Sequence, residues 1–216
     1  MKVKKGQVFS MANDHEPIPG CTVSKSLWDG ENNIAVFSLA AHTDISAEIF
    51  PSYKLLLVHK GCLTVGLGTG EKRLQEGEAL LVEPDSPVGM KAEEDTVYTE
   101  MVIRRTDQMN ENVKAGEIFK LAELVPYAEG RIVNMDIVHN QTMKFVVMAF
   151  DEGTGLTEHA APGEALIFAL DGQGVISYEG RDYPIRAGEN FSFAKGGMHA
   201  VKADGRFKMA LLLTLA

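Results

Sequence analysis

Residues 169–203 read ALDGQGVISYEGRDYPIRAGENFSFAKGGMHAVKA, and residues 58–92 read VHKGCLTVGLGTGEKRLQEGEALLVEPDSPVGMKA. The two stretches align without a gap. Gly61 falls on Gly172, Gly77 on Gly188 and Ala92 on Ala203, each pair 111 residues apart. Earlier in each copy KGQVFSMA (5–12) resembles AGEIFKLA (115–122), and Gly20 falls on Gly130 at a spacing of 110, so one residue has been gained in between. A period this long belongs to a duplicated domain and not to a solenoid unit. The boundary falls near 108, in the polar stretch RRTDQMNENVKAG, giving domains at 1–108 and 109–216.

Within each copy the pattern is that of β-structure. ALIFAL, GVISYEG, ENFSFA and FKMALLLTL are short β-rich runs separated by Gly, Asp and Asn turns, the pattern of an antiparallel sandwich or barrel. SYEGRDY reads as a hairpin with Gly180 in its turn. GLGTG (66–70) invites comparison with a phosphate loop, but no helix signal follows it, and it reads as a turn. Short helices are expected at IFKLAELVPY (118–127) and QVFSMA (7–12), with Phe119, Leu121, Leu124 and Val125 as a docking face.

The net charge of −9 argues against attraction to nucleic acid or to an anionic membrane. After the lysines of MKVKKGQVF no apolar run follows, so neither a signal peptide nor a membrane span is expected. Cys21 and Cys62 fit no zinc spacing and read as reduced thiols, which places the protein in the cytoplasm.

On these residues the chain resembles the cupin superfamily. That family's second motif is matched in spacing by Gly188, Ala194 in place of a proline, Gly196 and His199, with Ala203 where an asparagine is usual. Its first motif, anchored on Gly172, puts His159 at one histidine, Ala161 at the other and Ala165 at the glutamate. EHAAPGEALIFALDGQG (158–174) is similar to a group of small cupins in which E-H-x-A-P is common. The resemblance implies an all-β fold of two tandem double-stranded β-helix (jelly-roll) barrels with short helices, paired as an intrachain pseudo-dimer that could also assemble into a homo-oligomer.

The same resemblance implies His159 and His199 as metal ligands at the barrel mouth, for a divalent ion such as zinc, iron, manganese or nickel. Two histidines are fewer than such sites normally use. Glu164 is one position off and should point outward; His139, Asp136 and Tyr178 are conceivable third ligands. Without a metal, Ala161 and Ala165 leave room in a ligand pocket walled by Ile167, Phe191 and Phe193. In the N-terminal copy the corresponding positions hold Glu48, Phe50, Lys54 and Val88, which cannot reproduce the ligand set. Three functions follow as expectations: a small-molecule binder using the C-terminal barrel, a metal-dependent dioxygenase or isomerase using His159 and His199, or a structural assembly protein. His15, His42 and His59 form no set, and Trp28 and the methionines read as packing residues.

Overall fold

The computed structural model describes residues 2–29 and 32–215. The N-terminal half runs through β1 (Val8–Phe9), β2 (Thr22–Trp28), β3 (Ile34–Leu39), β4 (Thr43–Ile49), β5 (Tyr53–Lys60), β6 (Leu63–Leu67), β7 (Gly70–Leu74), β8 (Glu78–Val82), β9 (Pro87–Ala92) and β10 (Thr96–Ile103). The C-terminal half runs through β11 (Ile118–Lys120), β12 (Ile132–His139), β13 (Met143–Phe150), β14 (Gly155–Ala160), β15 (Glu164–Tyr178), β16 (Arg181–Arg186), β17 (Asn190–Phe193) and β18 (Met198–Thr214). Three antiparallel sheets result. One has the order β11-β8-β5-β10-β3-β2, a second β4-β9-β6-β7, and the third β1-β17-β15-β18-β13-β12 with β14 on β18 and β16 on β15.

The repeat seen in the sequence recurs in the ladders. Tyr98 lies opposite Val58 on one side and Phe37 on the other. Met209, 111 residues on, lies opposite Ala169 and Met148, which are the 111-residue counterparts of those partners. Gly61 and Gly172 share a reason for being glycine: φ is +76° and +68°, and an added Cβ would sit 2.4 Å from the Asp95 carbonyl oxygen or 1.9 Å from that of Arg206.

Strand alternation builds three cores. In β5, Leu55 and Leu57 face one way and Leu56 and Val58 the other, and all four are buried, which is why LLLV (55–58) is apolar without alternation. Leu55 and Leu57 join a core shared by both halves, in which Val36 and Met101 pack with Phe145, Leu166, Phe168 and Leu212. Leu56, Val58 and Tyr98 belong to a core confined to the N-terminal half. Ile167, Phe191, Phe193 and Phe207 belong to its counterpart in the C-terminal half.

The halves also trade strands. Val8 of β1 pairs with Phe191 of β17, while Ile118 of β11 pairs with Leu80 of β8. Each leading strand therefore completes the other half's sheet, which corrects the expectation of helices at these two places. QVFSMA supplies β1, and IFKLAELVPY supplies β11 followed by a 3₁₀ helix at Leu121–Glu123, the one helix among the described residues. Sheet-edge backbone groups at β8 and β17 offer these segments hydrogen bonds that outweigh a weak helical periodicity, and Pro126 limits any helix after them. The expected docking residues do pack: Leu121 and Val125 are buried in the shared core, with Phe119 and Leu124 against it.

Both expected turns form. Glu179 and Gly180 take φ of 50° and 74° between β15 and β16, the paired positive angles of a two-residue type I′ hairpin. Gly68 and Thr69 join β6 to β7. Cys21 and Cys62 are free thiols, exposed and buried respectively. Among the described residues no helix is long and apolar enough to cross a membrane.

His59, at the end of β5, lines a cleft of about 360 Å³ between the halves. Its Nε2 meets the Thr99 hydroxyl at 2.6 Å and its ring stacks on Phe168. Burial, helped by the charge of His15, pushes its pKa from 6.5 down to about 3. The folded state thus binds fewer protons than the unfolded one between those values. Stability from this group is complete above about pH 6.5 and declines as pH falls toward about 3. Urea unfolding is expected to show a falling midpoint between pH 7 and pH 4, and a smaller fall in His59→Gln. Equal falls in the two proteins would contradict this assignment.

Candidate functional site

β14 and β18 bring the two sequence-predicted histidines side by side. His159 and His199 are direct cross-strand partners, so their side chains share a face of the sheet. Their ring centroids are 4.2 Å apart with planes inclined at 52°. Phe193 lies 4.2 Å from His199 as well, so the His199 ring has an aromatic neighbour from β17. His199 is buried, at 5% exposure, whereas His159 is exposed and forms the outer member of the pair.

The backbone fixes how each ring is used. Nδ1 of His159 is 2.8 Å from the Thr157 carbonyl oxygen, and Nδ1 of His199 is 3.1 Å from that of Gly197. A carbonyl only accepts, so each Nδ1 carries the proton and donates. In the neutral ring the lone pair is then on Nε2, and neither Nε2 makes a hydrogen bond among the described residues. Burial is the main cause that holds the His199 pKa below 6.5; the Gly197 carbonyl opposes it and the charge of His159 adds to it. His199 is therefore a neutral acceptor at pH 7, ready to take an O–H or N–H from a ligand.

Among the described residues the donor set does not extend to a third ligand. Ala161 and Ala165 are at the positions where a second imidazole and a carboxylate would complete a cupin metal centre. Glu164 faces away, as strand alternation requires, and pairs with Lys5. His139 and Asp136 pair with each other at 3.5 Å on β12, which lies at the far edge of the sheet. Tyr178 is close, opposite His199 on β15, but its hydroxyl accepts the Ala194 N–H at 3.2 Å and its ring packs on Phe191 and Phe193. Among the described residues no three His, Cys, Asp or Glu side chains come together. Two imidazoles alone fit neither a three-ligand zinc site nor a two-histidine, one-carboxylate iron site.

The residues expected to wall a pocket are all found in one place. Ala161, Ala165, Ile167, Phe191 and Phe193 form part of a single packed cluster and are at most 3% exposed. The imidazole pair sits on the rim of this cluster.

In the N-terminal half the corresponding positions are not inert. Glu48, Phe50, Lys54 and Val88 line a cavity of about 240 Å³ together with Tyr98 and Glu100 of β10. Sequence reading missed Tyr98 and Glu100, because it compared only positions that hold a metal in cupins. The available signal was Tyr98-x-Glu100, two polar groups on one face of an almost wholly buried strand.

Comparison with known proteins agrees with this architecture. A family model described as a cupin domain matches residues 146–215. A cupin 2 conserved barrel domain protein from Leptotrichia buccalis superposes with a TM-score of 0.86 at 25% identity, covering 99% of this chain and 98% of that one. Protein Ylba from E. coli superposes with a TM-score of 0.62 at 16% identity, covering 98% and 92%. An oxalate decarboxylase from Bacillus subtilis does so at 0.55 and 10%, covering 99% and 78%, a likeness of fold alone. No curated protein matches the chain in sequence.

Proposed function

We propose that this chain, whose residues 146–215 match a cupin domain, binds a small molecule at the mouth of its C-terminal barrel through His159 and His199 acting directly as hydrogen-bonding groups. The observation that carries this reading is that both Nδ1 atoms lie against backbone carbonyls, which leaves both Nε2 atoms without a hydrogen bond among the described residues. A donor-bearing ligand, such as an alcohol, sugar or acid with a free hydroxyl, would meet two adjacent acceptors over the Phe193 ring.

The same reading takes the chain as a bicupin divided near residue 108, its two barrels joined as an intrachain pseudo-dimer. The ladders repeated at 111 residues, the core shared between the halves and the reciprocal strand exchange support it. Free cysteines support a reducing compartment such as the cytoplasm.

A thermal-shift screen of tag-free protein against small hydroxy acids, sugars and aromatic alcohols tests the site. At least one compound is expected to raise the melting temperature, and His199→Ala is expected to weaken its binding about fivefold, the effect of one lost hydrogen bond of about 1 kcal/mol. If no compound stabilises the protein, or if His199→Ala binds as the wild type does, the reading fails.

A further inference from the structure

We propose that the N-terminal barrel holds a second and separate site, for a small neutral molecule that presents a hydrogen-bond donor beside an acceptor on an apolar body. Glu100, Tyr98 and Lys54 form its polar end.

β10 lies between β5 and β3, so Tyr98 and Glu100, two residues apart, project from the same face into the N-terminal interior. Lys54 of β5 lies diagonally from Glu100, opposite Val102. Its Nζ donates to Oε1 of Glu100 at 2.9 Å and sits 3.4 Å from the centre of the Phe50 ring. Phe37 stacks on Tyr98 with centroids 5.0 Å apart and planes 7° from parallel, which fixes that ring in turn.

Among the described residues two polar atoms of this group have no partner: Oε2 of Glu100 and the Tyr98 hydroxyl, both buried and both on residues that line the cavity. The Glu100 side chain is 9% exposed and Tyr98 is fully buried. Buried polar atoms are seldom left unsatisfied, and an orphaned pair lining one cavity marks a place built to receive something.

The chemistry of the orphans defines the occupant. A carboxylate oxygen only accepts, so the ligand must donate to Glu100. Tyr98 can donate in return, so the ligand offers an acceptor next to its donor. Lys54 and Glu100 cancel each other, and a charged ligand would be desolvated without a counter-ion, so neutral molecules are preferred. Phe37, Phe50 and Met90 supply apolar walls. A primary amide or a hydroxy-ketone on a small ring meets these demands, and a cavity of about 240 Å³ holds a ligand smaller than a typical drug.

The fold does not require this polar group. At the 111-residue counterparts of Lys54, Tyr98 and Glu100 the C-terminal half has Ala165, Met209 and Leu211, all apolar. The histidine pair, conversely, has Glu48 and Val88 as its counterparts. Each half carries its own polar set, so this site does not depend on the one proposed at His159 and His199.

Titration of the full, tag-free chain with benzamide, catechol and hydroxyacetone, followed by NMR and calorimetry, tests the proposal, with benzoate as the charged control. At least one neutral probe is expected to bind, with benzoate at least tenfold weaker. Tyr98→Phe should weaken the neutral probe about tenfold while leaving the melting temperature unchanged or raised, because the lost hydroxyl has no protein partner. A His159→Ala/His199→Ala variant should bind the probe as the wild type does. The proposal is overturned if none of the three probes binds, if Tyr98→Phe binds equally well or melts lower, or if the histidine variant loses the probe.

Discussion

Lys54→Met is expected to lower the free energy of unfolding by about 3–5 kcal/mol, the cost of leaving a buried carboxylate without its counter-ion. The ammonium and the Glu100 carboxylate are 8% and 9% exposed and 2.9 Å apart, so the remaining carboxylate is left poorly solvated. Methionine keeps the stem's packing against Phe50 while removing the charge, so the loss reports electrostatics and not a cavity. Adding Glu100→Leu to the same chain should recover most of the loss, because an apolar pair can be as stable as a buried ion pair. Urea unfolding of the two single variants and the double variant measures this. A loss below about 1 kcal/mol for Lys54→Met, in the range of an exposed pair, would show that the pair is solvated.

Gly172→Ala should cost about 2–5 kcal/mol. Part of this is the left-handed backbone at φ +68°, worth about 1–2 kcal/mol for any residue with a Cβ. The remainder is collision: the new methyl would lie 1.9 Å from the Arg206 carbonyl oxygen and 2.9 Å from its carbon, on a neighbouring run of β18 that is hydrogen-bonded in place. Gly188→Ala is the control, since φ is +86° there but no atom lies within 4 Å, and only the backbone cost remains. Thermal unfolding of both variants separates the two contributions, and equal losses would contradict the steric argument.

That glycine also shows what the sequence made legible. Gly61 and Gly172 match by spacing alone, and both prove to be left-handed positions pressed against a backbone carbonyl, Gly61 between β5 and β6 and Gly172 at an irregularity within β15. Likewise the cupin resemblance implies adjacent strands for His159 and His199, and the two are direct partners. Such features repeat over short, local frames. The strand exchange was hidden, because KGQVFSMA and AGEIFKLA look like short amphipathic helices until the sheet edge that captures them, far away in sequence, is known. Lys54, Tyr98 and Glu100 were hidden for a related reason. Each is unremarkable alone, and only the order β5-β10-β3 turns them toward one cavity.

On the proposed reading the imidazole pair meets its ligand directly, because among the described residues His159 and His199 have no third ligand with which to hold an ion. Metal content measured by inductively coupled plasma mass spectrometry, on tag-free protein beside His159→Ala and His199→Ala, tests it most directly. No near-stoichiometric metal that depends on these residues is expected. Near-stoichiometric metal in the wild type, lost in both variants, would contradict it and make the pair the core of a metal centre.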